Sequence, residues 1–352
     1  MQKYFAAANT ERGFVGWFDD IFDSRVITRT YIIKGGSGTG KSTLMKKVAE
    51  RAVKSGGECE YYYCSSDPTS LDGIIITDSE GMTTAMIDGT APHIRDPKYP
   101  GAADEIVNLG EYWCSDILKA QRDEIIALTD KKSRLYREAY SYFATAGELY
   151  RSQLKEAEGF LLKDKLEAAV TRLLTQRMHE CRVKSGKGIH RIRGLSALST
   201  RGEVRFDSFS DTKLVCLAVD AAGSTPFLFD ALTRAAERLG LSYDRAPMPL
   251  IPELTEALRF PELSMSVVSD TAKSDVKPIN MSRFTDREKL AECDRTRRRV
   301  IRKTVGELTC AGLEKLAYVN KIHGAVEQIY IGAMDFTRLE DAAQKLIVRM
   351  GY

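Results

Sequence analysis

The sequence predicts an α/β fold on a mostly parallel sheet, present twice, with the second copy degenerate. Three observations lead there. A glycine-rich loop, Gly35-Gly36-Ser37-Gly38-Thr39-Gly40-Lys41-Ser42, lies between an apolar run and an amphipathic segment. Four stretches of the first half recur in the same order about 180 residues later. Each half then closes in long segments whose apolar residues step at helical spacing.

The loop fills the pattern GxxxxGK(S/T) completely. Tyr31-Ile32-Ile33 predicts a buried strand before it. Leu44, Val48 and Ala52 share one face of a helix that begins near Lys41, and Ser55-Gly56-Gly57 stops it. In that context the glycines let the backbone wrap closely round phosphate oxygens with N–H groups turned inward, at the positive end of the helix dipole. Lys41 would reach the β and γ phosphates, and the Ser42 hydroxyl would hold magnesium. Gly35, Gly36, Ser37, Gly38, Thr39, Gly40 and Thr43 complete the expected contacts, so ATP and Mg2+ are the expected ligands. Lys34 precedes Gly35 and is therefore not the extra loop lysine that marks some dimeric ATPases.

An acid at the end of a neighbouring strand organises magnesium in such sites. Asp88, after Ala85-Met86-Ile87, is the first candidate, set against an Asp-Gly turn. Asp67 follows the strand Tyr61-Tyr62-Tyr63-Cys64 and precedes Pro68; it is the second, set against a helix cap. The expected catalytic set is Lys41, Asp88 and Asp67, with Ser42 and Asp88 on the metal. Asp72 and His93 read as structural or solvated loop residues.

Aligning Gly40 with Gly223 sets GKSTLMKKVAERAVKSG against GSTPFLFDALTRAAERL, and Leu214-Val215-Cys216-Leu217 then replaces the first strand. Ala85 to Ala91 faces Ser266 to Ala272, and Thr10 to Val15 faces the stretch from Thr200, or its neighbour, to Val204. The copy has lost the lysine: Gly223-Ser224-Thr225 is followed by Pro226, and the approach reads Val219-Asp220-Ala221-Ala222. Asp220 puts negative charge near the phosphate position, so one working site and one silent partner are expected.

Ile125, Leu128, Leu135, Ala139, Tyr142, Ala146 and Leu149 mark one long helix, and Leu154, Leu161, Leu166, Val170, Leu173 and Leu174 a second. Together they predict an antiparallel helical hairpin at about 115–180. Leu316, Val319, Ile322, Val326 and Ile329, followed by a closing helix from Leu339 to Met350, repeat it in the second half. Polar Lys184-Ser185-Gly186-Lys187-Gly188 is the expected boundary, giving domains 1–183 and 184–352.

The 352 residues are 43% hydrophobic and 29% charged with a formal net charge of +3, and no apolar run is long enough for a membrane span. Charge also comes too early at the N-terminus for a signal peptide, so a cytoplasmic protein without a membrane partner is expected. Seven cysteines without a CxxC pair predict buried, reduced thiols. The basic runs Arg182 to Arg193 and Arg295 to Lys303 sit in a nearly balanced chain with acidic flanks, so they read as solvated helix faces. Nucleic acid is not expected, though either run could supply an arginine to the triphosphate.

YFAAANTERGF (4–14), YIIKGGSGTGKSTLMKKVA (31–49), CSSDPTSLDG (64–73) and DGTAPHIRDPKYPG (88–101) resemble a poorly characterised bacterial family of tandem P-loop ATPases. The resemblance spans the chain but is specific in the first half. It implies nucleotide binding and ATP hydrolysis, and the Ser224 position departs from relatives in which both halves carry a phosphate loop. For a GTPase the base-reading (N/T)KxD motif is missing; Ala272-Lys273-Ser274-Asp275 lacks its first residue. The expected activity is an ATPase that couples nucleotide state to its helices or to a protein partner or second copy. A small-molecule kinase and a nucleotide-sensing interaction protein are the alternatives.

Overall fold

The structure is a computed structural model that describes residues 2–220 and 222–352. The first half runs β1 (Gln2–Phe5), the ribbon β2 (Ala7–Thr10) and β3 (Gly13–Gly16), the short α1 (Phe18–Ile21), β4 (Arg29–Lys34) and α2 (Lys41–Lys54). It continues through β5 (Glu58–Tyr63), β6 (Leu71–Thr77), β7 (Thr83–Asp88), β8 (Asp104–Asn108), α3 (Ser115–Ala120), α4 (Arg122–Gly159) and α5 (Lys163–Cys181). The second half runs β9 (His190–Ile192), β10 (Ser196–Ser199), β11 (Gly202–Arg205), β12 (Leu214–Val219), α6 (Thr225–Leu239), β13 (Tyr243–Pro247) and β14 (Thr255–Phe260). Then come β15 (Met265–Val268), β16 (Lys277–Asn280), α7 (Arg287–Glu292), α8 (Arg295–Ala333) and α9 (Phe336–Arg349).

Two six-stranded mixed sheets form, ordered β1-β5-β6-β7-β4-β8 and β9-β13-β14-β15-β12-β16. In each, three pairings are parallel and two antiparallel, and the senses occur at the same places along the sheet. The correspondence extends to detail. Irregular pairing falls at Tyr62/Tyr63 and at Ala246/Pro247. In the ribbons, Thr10 Oγ1 donates to the Gly13 carbonyl and Ser199 Oγ to that of Gly202, so Ser199 rather than Thr200 holds the place of Thr10.

Side chains alternate across each sheet because strand residues point to opposite faces. On one face of the first sheet, Tyr31, Ile33, Tyr61 and Met86 pack under α2 through Leu44, Val48 and Ala52. On the other, Tyr62, Ala85 and Ile87 meet Val215, Ala246, Ala257 and Val268 of the second sheet. Ala6, Ala7 and Ala8 are buried in the same cluster. Arg193 lies in the same interface, 5% exposed, 2.9 Å from a Glu60 oxygen and over the rings of Tyr4 and Tyr62.

The helical hairpins expected from periodicity do not form. The 38 residues of α4 span about 57 Å at 1.5 Å per residue, which carries the chain from the first sheet to the second. There α5 docks: Leu166, Val170 and Leu174 bury against Leu228, Leu232 and Leu258. Reciprocally, α8 returns the chain to the first sheet, where Leu339, Ala343, Leu346 and Ile347 of α9 join Tyr31 and Leu44. Burial is worth about 1.5–3 kcal/mol for each large apolar side chain, which firmly holds each exchanged helix. The long helices pair with each other instead, antiparallel, with Lys315 Nζ 2.8 Å from Glu138 Oε2 and Gly312 beneath Phe143. Residues 182–189 do separate the halves in sequence, yet α5 and α9 each belong by packing to the opposite sheet.

Three smaller expectations change. Leu154 belongs to α4 and Leu161 to its connection, so the second helix starts only at Lys163. Among the cysteines, Cys114 and Cys310 are exposed while Cys216 is buried, and all seven are free. The run ending at Arg193 is a loop and strand rather than a solvated helix face, whereas the Arg295 to Lys303 run does lie on α8 and is mostly exposed. No described helix is long and apolar enough to cross a membrane.

Candidate functional site

Residues 35–40 link the C-terminal end of β4 to the first turn of α2, and Gly40 caps that helix at φ +87°, a left-handed conformation glycine adopts without a Cβ clash. Because β4 and β7 pair in parallel with Ile33 opposite Asp88, the Asp88 carboxylate emerges beside the loop. Its Oδ2 stands 3.5 Å from Lys41 Nζ, with both side chains largely buried. The ammonium also donates to the carbonyls of Gly35 at 3.0 Å and Gly36 at 2.7 Å, and Thr39 Oγ1 donates to Gly36 O at 2.9 Å. Ser42 Oγ accepts from Leu71 N at 3.0 Å, while Thr43 is exposed at the outer side of the first turn.

Asp88 uses its second oxygen as a turn former, accepting from Thr90 N at 2.9 Å and Thr90 Oγ1 at 2.5 Å. One oxygen thus forms the turn and the other faces Lys41. Lys34 Nζ donates to Gly89 O, Arg95 O and Asp96 Oδ1, tying the segment after β7 back to β4.

Asp72 and His93 belong to this cluster and are not peripheral. Asp72 lies on β6 and is 4% exposed; His93 Nε2 approaches its Oδ2 at 3.6 Å, and His93 Nδ1 is 2.8 Å from the Asp88 carbonyl. Phe18 stacks on the imidazole at 4.6 Å. Burial works against the imidazolium, but the Asp72 and Asp88 carboxylates overcome it and hold His93 above its ordinary pKa. One ligand atom from each of Asp72, Asp88 and His93 lies within 4.8 Å of the others, a separation that lets the three gather round one cation. Separate loop positions in the sequence carried no sign of this; antiparallel pairing of β6 with β7 brings them together.

Asp67 has another setting. It caps a turn and not a helix: its Oδ1 accepts from Thr69 N at 3.1 Å, from Thr69 Oγ1 at 2.8 Å and from Arg201 Nε at 3.4 Å. Arg201 comes from the β10–β11 ribbon of the second half, anchored where Thr200 N and Oγ1 both donate to Ser66 O.

The far end of α8 closes over the 35–40 loop. A methyl group at Gly36 would overlap the Tyr330 ring, and one at Gly38 would stand 3.0 Å from the Glu327 carbonyl oxygen. Periodicity marks α8 as a helix but says nothing about which loop it covers, so Glu327 and Tyr330 went unrecognised in the sequence.

In the second half, Gly223 takes φ +84° at the position matching Gly40. Here the Asp220 carboxylate fills the loop, accepting from Ala222 N at 2.7 Å, Thr225 N at 2.6 Å, Thr225 Oγ1 at 3.0 Å and Ser224 Oγ at 3.3 Å. The protein supplies its own anion to the backbone amides. Ala221, part of the altered approach, lies outside the described residues. Compared with protein-family models, curated proteins and solved structures, the chain matches none.

Proposed function

We propose that this chain is a Mg2+-dependent ATPase with one nucleotide site, formed by residues 35–43, and a degenerate second copy of the same P-loop unit. The observation that carries the reading is the complete loop between β4 and α2 with Lys41 Nζ 3.5 Å from the Asp88 carboxylate on the adjacent parallel strand. Lysine and carboxylate satisfy each other until a triphosphate takes the lysine and a metal takes the acid. The donor set suits that exchange: glycine-rich backbone amides and Lys41 for phosphates, the Ser42 hydroxyl and Asp88 for magnesium, with Asp72 and His93 close behind. Magnesium, when bound, neutralises phosphate charge. Asp88 would then hold the metal's shell, and Lys41 would orient the terminal phosphate. Matching strand order in the two sheets, with Gly40 and Gly223 alike, supports reading the halves as copies. Asp220 and the missing lysine leave the second without a phosphate site.

The test is calorimetry of Mg-ATP on the pure chain, paired with phosphate release. About one nucleotide per chain is expected, raising the thermal midpoint because the ligand binds only the folded state. Lys41→Ala should abolish binding. Two equivalent sites, or a variant that binds as the parent does, would refute the assignment. Phosphate appearing on an added metabolite instead of in solution would make the protein a kinase.

A further inference from the structure

The phosphate loop belongs to the first half, yet α8 covers it, and α4 packs along α8 beside the neighbouring segment. On α8, Glu327 touches Gly38 through its carbonyl and Tyr330 covers Gly36. On the facing α4, Tyr136 Oη donates to Ser66 Oγ at 2.9 Å, which pins that helix to the segment just after β5. One turn earlier, on the same face, stands Lys132.

Lys132 is half-buried between Glu327 and Cys64 and makes no hydrogen bond or ion pair among the described residues. Burial pulls its pKa below the ordinary lysine value, and Glu327 opposes this only in part. The Glu327 carboxylate itself leans toward His323 Nε2, at 3.5 Å. Cys64 offers no countercharge, since burial pushes its thiol well above the ordinary value. A half-buried ammonium without a partner is costly and is expected where an anion arrives later. The segment it overlooks runs on to Leu71, whose N–H is bonded to Ser42 Oγ. Lys132 thus faces Glu327, whose backbone lies on Gly38, and Cys64, which opens the segment that ends beside Ser42.

We propose that Lys132 contacts the terminal phosphate of the bound nucleoside triphosphate, so that α4, which leads to the second sheet, distinguishes triphosphate from diphosphate. This rests on the nucleotide reading above and adds a specificity-determining residue that no loop motif contains. Its ammonium would gain the partner it lacks only when the γ phosphate is present.

Calorimetry on the full chain with magnesium and a non-hydrolysable ATP analogue, then with ADP, tests it. Lys132→Gln should weaken analogue binding about tenfold or more, the loss of one charge-assisted contact, and leave ADP binding within about twofold. Lys132→Arg should restore most of the preference. Melting without nucleotide should be unchanged or raised for Lys132→Gln, because an uncompensated charge is removed. If Lys132→Gln binds both nucleotides as the parent does, or weakens both equally, the inference is overturned while the nucleotide site stands. A parent chain that binds neither nucleotide overturns the site assignment, and the inference with it.

Discussion

Replacing Asp220 by alanine isolates what the internal carboxylate does. It removes the acceptor for two backbone amides, those of Ala222 and Thr225, and for the hydroxyls of Ser224 and Thr225. A hydrogen bond to a charged acceptor is worth about 1.5–3 kcal/mol, but water can reach the half-buried Thr225, so the four do not add. The Ala222 amide belongs to a buried residue and loses most. A net loss of about 2–3 kcal/mol follows. Unfolding entropy near 2.1 cal/mol/K per residue over 352 residues is about 0.7 kcal/mol/K, so the midpoint should fall by roughly 3–4 °C. Differential scanning calorimetry measures this, with sulfate added in a second arm. The emptied loop keeps its amides at the start of α6, so sulfate should recover part of the loss in Asp220→Ala and do little for the parent. A variant that melts within 1 °C of the parent would refute the view that Asp220 stands in for an anion.

Asp88→Asn should keep Mg-ATP affinity within a few fold, because the loop amides and Lys41 remain, while phosphate release falls about a hundredfold or more; steady-state kinetics beside calorimetry will separate the two. Gly312→Ala drives a methyl group into the buried Phe143 ring and should cost about 1–3 kcal/mol in urea unfolding by prying α4 from α8. Glu256 is buried, and despite Arg205 at 3.2 Å its pKa is pushed up to about 7 from 4.5. The fold therefore binds a proton that the unfolded chain releases between those values. This contribution is present in full below about pH 4.5 and is lost as pH rises through about 7, by up to about 3 kcal/mol. Glu256→Gln should flatten that slope in urea unfolding at pH 5 and pH 8, with its advantage over the parent largest at pH 8.

Taken alone, the sequence determined what depends on neighbours along the chain. Tyr31-Ile32-Ile33, the loop and the Leu44, Val48, Ala52 face became β4, the turn and α2 within a residue or two, because strand and helix periodicities and glycine conformations are local properties. Asp88 was legible for the same reason, as an acid that ends an apolar strand. Tertiary structure alone decided the rest. Periodicity along α4 reports that one face is buried but not against what, so a helix too long to fold back on its own sheet reads as half of a hairpin. Asp72 joins Asp88 and His93 only through antiparallel pairing of β6 with β7, and Tyr330 covers Gly36 only because α8 runs back from the second sheet to the first. Asp220 was legible as a negative charge just before Gly223-Ser224-Thr225. That it turns back into the loop's amides is a matter of backbone trajectory, which residue types at fixed spacing do not encode.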